Sequence, residues 1–225
     1  MVDIVDLTGK TAGVTKDFGS PIGTVLVRRG FRTLGMVDAV VLHQTAMSRG
    51  NTQDLYLNTN AHFVVLPDGK LLHLHPVDVT LWASNAFNDV GIAIEFVGNF
   101  ATFKGVYWAE SGKTPLKSTL SQQQISAGRD LVSHLKTAYD LDFVFAHRQG
   151  FIRADRTGYV SELRQGSIPG RHSIYNNGRE NCPGPDIWFN VGEWAITNLG
   201  LSDGGKDYAL ADGDPIPAEW RKARA

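Results

Sequence analysis

Two short apolar runs that each end in histidine, Val37–His43 (VDAVVLH) and Leu141–His147 (LDFVFAH), constrain this chain most. Their length and their β-branched and aromatic content mark them as buried strands. A buried strand needs a sheet around it, so the chain must supply others. Asn60–Leu66 (NAHFVVL) is one, closed by Pro67-Asp68-Gly69, a strong turn signal; Lys70–His75 (KLLHLH) returns as its hairpin partner. Val90–Val97 (VGIAIEFV) is a further apolar run with a lone acid, Glu95, inside it, and Thr24–Arg28 (TVLVR) reads as a short strand. The clearest helix starts at Ser121, which with Gln124 has capping-box spacing. Ile125, Val132, Leu135 and Tyr139 follow at helical spacing, with Leu131 and Ala138 widening the same face. Cys182-Pro183-Gly184-Pro185 forms a turn into a last helix, Asp186–Leu199, whose inner face draws on Ile187, Trp188, Val191, Trp194, Ala195 and Leu199. Strands and helices mixed in this way predict a single α/β or α+β domain around one sheet.

Composition enters as a set of exclusions. With 42% apolar and 20% charged residues, the 225-residue chain has the material for a core, so whole-chain disorder is excluded. A formal charge of −1 disfavours general nucleic-acid binding, which rests on neutralising phosphates. No stretch approaches the roughly 20 apolar residues of a membrane span. The N-terminus carries early acids, Asp3 and Asp6, rather than the basic-then-apolar order of a signal peptide. The expectation is a soluble chain made in the cytoplasm. Residues 1–36 read as an extension lying on the domain, and 148–181, rich in Gly, Arg, Asn and Ser, as one long loop. Residues 200–225, with Gly204-Gly205, Pro215 and Pro217, read as a linker or loosely packed tail.

One cysteine, Cys182, stands against seven histidines. It can make no internal disulfide and no all-cysteine zinc site, but it can be one ligand among histidines. His43 and His147 each end an apolar strand, where a rigid sheet holds a ligand at the rim of a cleft. Two imidazoles and a thiolate fill three positions of a tetrahedral zinc and leave one open for chemistry. The plainer alternatives are hydrogen-bonded strand-end histidines and a small buried hydrophobe at Cys182. Glu95 alternates with Ile94 and Phe96; if those face the core, Glu95 faces a cleft, where a carboxylate suits general-base work. Its plainer alternative is an exposed strand acid paired with an arginine.

Several segments occur in an order that resembles zinc-dependent N-acetylmuramoyl-L-alanine amidases, a family that includes phage endolysins and peptidoglycan recognition proteins. They are Val40-Val41-Leu42-His43-Gln44-Thr45-Ala46, Ala61-His62-Phe63-Val64-Val65 with Pro67-Asp68-Gly69, and Trp82-Ala83 with Asn85. Gly91-Ile92-Ala93-Ile94-Glu95, Ala146-His147-Arg148-Gln149 and Cys182-Pro183-Gly184-Pro185 continue the series, so that the resemblance spans about 37–199. It implies a central mixed sheet flanked by helices, a zinc groove, His43, His147 and Cys182 as ligands, and Glu95 as the catalytic glutamate.

The sequence departs from the family pattern in places. Ala61 stands where many relatives have tyrosine, and Glu180 where lysine or threonine is common, so Glu180 is a candidate for moving a proton or points away. His172 also competes with His147. It precedes Cys182 by a spacing common in relatives (182 − 172 = 10), whereas His147 lies further back (182 − 147 = 35). His147 is favoured for its strand-end setting, which makes 148–181 an insertion over the groove with Arg171 or His172 against substrate. The loop Trp82, Ser84, Asn85, Asn88 is a candidate groove wall, with Trp82 and Asn85 as substrate contacts. His62, His73, His75 and His134 read as structural or solvent-facing.

The resemblance implies a monomeric zinc hydrolase that cuts the bond between N-acetylmuramic acid and L-alanine in peptidoglycan or muropeptides, with no nucleic-acid or membrane partner. A phage endolysin acting on the wall after release fits this reading best. A cytoplasmic muropeptide-recycling amidase or a non-catalytic peptidoglycan-binding module are the rivals.

Overall fold

The computed structural model describes residues 2–11, 28–102, 105–109, 114–150, 181–204 and 215–223. Among these, six strands form the central sheet: β1 (Ile4–Asp6), β3 (Ala39–Gln44), β4 (Phe63–Val65), β5 (Leu71–His73), β7 (Gly91–Phe96) and β8 (Phe143–Ala146). Their order is β1-β5-β4-β7-β3-β8. The hairpin β4/β5 is antiparallel, while β1/β5, β4/β7, β7/β3 and β3/β8 run parallel, so the sheet is mixed. A second, two-stranded sheet pairs β2 (Arg28–Phe31) with β6 (Val79–Leu81). The expected strand at 24–28 lies outside the described residues except for Arg28, where β2 begins.

Strand alternation splits the sheet into two faces. After the short α1 (Thr8–Thr11), the long helix is α2 (Gln122–Tyr139); Val40, Leu42, Ile92, Ile94, Phe96, Val144 and Ala146 face α2 and the last helix, and all are buried. From α2 come Ile125, Leu131, Val132 and Leu135, as its spacing predicts, whereas Ala138 is exposed. The α2 start is a capping box: Ser121 Oγ accepts from Gln124 N at 3.0 Å, and Gln124 Oε1 accepts from Ser121 N at 3.3 Å. Each Val, Leu or Ile so buried contributes about 1.5–3 kcal/mol.

The last helix begins as α3 (Pro185–Ile187), widens to a π-helical stretch Trp188–Glu193 and ends as α4 (Trp194–Leu199). Ile187, Trp188, Val191 and Ala195 are its buried face. The N-terminal extension packs on the domain, and the tail packs where the sequence suggests looseness. Ile4–Asp6 is an edge strand of the central sheet, and in the tail Trp220 is fully buried against the helix-side core.

The bystander histidines do structural work. The His62 ring, buried just before β4, accepts from Ala93 N through Nδ1 (3.0 Å) and donates from Nε2 to Val79 O (2.8 Å), tying β7 to the small sheet. His73 stacks on Phe63 with ring centroids 4.5 Å apart. His75 is buried, and His134 lies exposed on α2. Burial, joined for His62 by the Arg32 guanidinium, holds the pKa of both His62 and His73 below the ordinary 6.5. As pH falls through that value, the unfolded chain takes up protons that the folded state refuses. Stability is therefore full above pH 6.5 and lost progressively below it. Thermal melts of the metal-free protein are expected to show Tm dropping from about pH 7 to about pH 5. His73→Phe, which keeps the stack, is expected to flatten part of that slope. A Tm level across the window in both proteins would contradict this account.

Candidate metal centre

Parallel neighbours bring the two strand-end histidines together. In the β3/β7 register His43 faces Glu95, and in the β3/β8 register Leu42 faces Ala146, so His147 emerges beside His43 at the C-terminal edge of the sheet. That edge is where parallel sheets collect ligands, because the loops leaving each strand diverge there. His43 shares its face with Ala39 and Val41, opposite to the helices; those two pack with Phe87 and Phe145.

Cys182 arrives on the turn before α3. Its sulfur accepts from Gln44 N at 3.4 Å, and its carbonyl accepts from Arg148 N at 3.0 Å. Thus the residues after both histidines hold the cysteine. The Gln44 side chain adds a second hold, its Nε2 donating to Pro183 O at 2.9 Å, while its Oε1 accepts from Phe100 N in the chain after β7 at 2.7 Å. One potential ligand atom from each of His43, His147 and Cys182 lies within 4.8 Å of the other two. The imidazole rings are 4.4 Å apart, centroid to centroid, tilted by 48°. Two nitrogens and a sulfur are donors that suit zinc, and the arrangement can hold a metal ion.

Glu95 sits one strand from His43 in the same row, about 4.8 Å away across the ladder, with buried Val64 on its other side. It is half-buried, unlike its neighbours Ile94 and Phe96, which are fully buried on the helix side. Alternation thus puts the carboxylate on the face that carries the histidine.

A loop built on the Asn85–Phe87 turn closes one side. Asn88 Oδ1 accepts from Ala83 N (3.1 Å) and Ser84 N (2.7 Å), fixing the loop. Ser84 Oγ lies 3.0 Å from His43 Nε2, and Asn85 Nδ2 lies 3.0 Å from His147 Nε2. Trp82 is half-buried at the start of this loop. The turn His147–Gly150 packs directly behind: a Cβ on Gly150 would stand 2.6 Å from Ser84 O. Gln149 braces the same turn by accepting from Ala146 N (2.8 Å) and donating to Asp203 O (2.8 Å).

The structure therefore brings together His43, His147 and Cys182, with Glu95 in register beside His43 and Asn85 against His147; Trp82 begins the loop that carries Asn85, and Ala61 is buried two residues before β4. His172, Arg171 and Glu180, and with them most of the long segment 148–181, lie outside the described residues. Three contributions are not legible in the residues alone. Gln44 and Gln149 read as motif positions without a role, and Ser84 as a groove residue. Their spacing signal is weak because each acts through side-chain contacts that reach segments distant in the sequence.

A model of the N-acetylmuramoyl-L-alanine amidase family matches residues 33–185. Among solved structures, the endolysin N-acetylmuramoyl-L-alanine amidase LysCS from Clostridium intestinale URNW aligns at 15% identity and TM-score 0.49, over 90% of this chain and 98% of its own. The Ph2119 endolysin from the Thermus scotoductus MAT2119 bacteriophage aligns at 17% and 0.45, over 74% and 100%. Human PGRP-IBETAC in complex with glycosamyl muramyl pentapeptide aligns at 15% and 0.44, over 71% and 93%. A search of curated proteins finds no match. The family model covers well over half of the sequence and includes β3, β7, β8 and all three members of the cluster; the chain belongs to the N-acetylmuramoyl-L-alanine amidase family.

Proposed function

We propose that this protein is a zinc hydrolase that cleaves the amide between N-acetylmuramic acid and L-alanine in peptidoglycan. The observation that carries the reading is the convergence of His43, His147 and Cys182 within 4.8 Å, with Glu95 in register beside them. These three side chains would hold the ion. Zinc bound there supplies Lewis acidity, polarising the scissile carbonyl and making the attacking water more acidic. Glu95 takes the proton of that water as its oxygen bonds to the carbonyl carbon, then delivers it to the amide nitrogen as the C–N bond breaks. The stem peptide departs with L-alanine as its free amino terminus. Trp82 and Asn85 form the wall against which the glycopeptide lies, and Arg171 or His172, in the 148–181 segment, is a further candidate substrate contact. Glu180 moves a proton or stands aside, because an ionised carboxylate cannot support a developing oxyanion.

In this reading residues 37–199 are the catalytic unit, active as a monomer, and the protein works as an endolysin, reaching the wall after release. Digestion of purified peptidoglycan, followed by mass spectrometry, tests it. The expected products are stem peptides with free L-alanine N-termini and unsubstituted glycan chains. Sedimentation with intact peptidoglycan but no such products would identify a binding module instead.

A further inference from the structure

The loop beside the cluster carries an inference that rests on the zinc reading above. Each histidine is engaged through the same ring atom. His43 Nε2 meets Ser84 Oγ, and His147 Nε2 meets Asn85 Nδ2, both at 3.0 Å. An imidazole that donates from Nε2–H offers its Nδ1 lone pair to a metal. From these contacts we propose that Ser84 and Asn85 are positioning residues that fix His43 and His147 with Nδ1 toward the metal, by accepting from Nε2–H.

Their chemistry suits the task. The Ser84 hydroxyl accepts or donates by rotation about one bond. Asn85 has both functions on one planar group. With Nδ2 toward His147 the amide donates to a bare Nε2, and the imidazole proton sits on Nδ1. A half-turn of the amide brings Oδ1 to the same place, where it accepts from Nε2–H and frees the Nδ1 lone pair for a metal. Asn85 thus serves either tautomer without moving its backbone, and metal loading selects the second.

The backbone is built to hold both residues in place. Asn85 has φ +54, in the left-handed region that asparagine tolerates better than most residues. The carbonyls of Ser84 and Asn85 accept from Phe87 N and Asn88 N, at 3.1 and 3.2 Å. Phe87 in turn stacks on Phe145 of β8, ring centroids 4.2 Å apart, which ties the loop to the strand that ends at His147. Gly150 admits the close approach of Ser84 O from behind. A side chain that orients a ligand is only as rigid as its support, and here the support belongs to the same sheet as the ligands.

The test is zinc affinity by competition with a chromophoric chelator, together with the imidazole tautomer read by two-bond ¹H–¹⁵N correlation on the zinc-loaded protein. Ser84→Ala and Asn85→Gly, the latter keeping the left-handed backbone accessible, are each expected to weaken zinc binding by about 10–100-fold. Asn85→Asp, a permanent acceptor, is expected to restore tight binding. The wild-type spectrum is expected to show both histidines protonated at Nε2 and metal-shifted at Nδ1. Unchanged affinity in Ser84→Ala and Asn85→Gly, or metal-shifted Nε2 resonances, would overturn the assignment while leaving the metal site standing. Asn85→Asp as weak as Asn85→Gly would overturn the acceptor role of Asn85. A wild-type protein that holds no zinc would overturn the metal reading itself, and this inference with it.

Discussion

Cys182→Ala is expected to lose bound zinc and hydrolysis of peptidoglycan together. The cysteine is the one thiol of the chain and the one soft donor of the cluster, so no neighbouring residue can replace it. Its side chain is small, so the fold should tolerate its removal; what disappears is the coupling of folding to metal. For the wild type, zinc at about 1,000-fold above its Kd contributes about 4 kcal/mol. In a domain of this size that amounts to a rise in Tm of roughly 8–16 °C over the chelated protein. Cys182→Ala should melt near the chelated wild type and gain little when zinc is added. His43→Ala should behave alike, because its ring supplies another member of the cluster from the rigid end of β3. Both variants should retain about none of the metal after dialysis, against about one equivalent for the wild type. Full release of L-alanine-terminated peptides by a zinc-free Cys182→Ala protein would refute the mechanism, and zinc-stabilised Cys182→Ala would refute the ligand set.

The parts of this site that were legible in sequence are those whose signal is local. His43, Glu95 and His147 lie at strand ends or within alternating runs, and period-two alternation told which face Glu95 takes. The α2 start was equally plain, since a capping box needs residues only three apart. What the sequence hid depends on contacts between distant segments. Ile4–Asp6 is too short to announce itself, and becomes a strand because β5 offers a free edge for parallel pairing. Val79–Leu81 follows Pro76 closely, and pairs because β2 lies against it. Ala138 fits the helical stripe, but the apolar face of α2 is filled before its last turn, and Ala138 meets water. Gln44 shows the limit most clearly. It lies at the end of an apolar strand and looks like a polar terminus, yet both ends of its amide are used to join β3, the Cys182 turn and the chain after β7. No spacing rule finds such a residue.

The tail gives the second large effect. Trp220, in a segment whose glycines and prolines suggest a linker, is fully buried in the helix-side core, and Trp220→Ala is expected to cost about 3–5 kcal/mol. At this chain length that lowers Tm by roughly 6–20 °C. Trp220→Phe should cost far less, since the indole N–H makes no hydrogen bond among the described residues and the aromatic ring keeps most of the buried area. Arg221→Ala is the contrasting case. Its guanidinium joins Glu193 and Asp203 at the surface, and partly exposed pairs of this kind contribute about 0–1 kcal/mol. The effect of Trp220 should also reach the metal. Its ring lies 4.9 Å from the guanidinium carbon of Arg148, whose Nη1 donates to Asn181 Oδ1 (3.3 Å) and whose N–H holds the Cys182 carbonyl. With the ring gone, Arg148 loses one of the contacts that order it, and the turn presenting the thiol is expected to loosen with it. Melts of the metal-free variants measure the packing, and chelator competition measures the metal. If Trp220→Ala lowers Tm but leaves zinc affinity intact, the tail braces the core alone; if zinc affinity falls in Trp220→Ala and recovers in Trp220→Phe, the tail is part of what holds Cys182 in place.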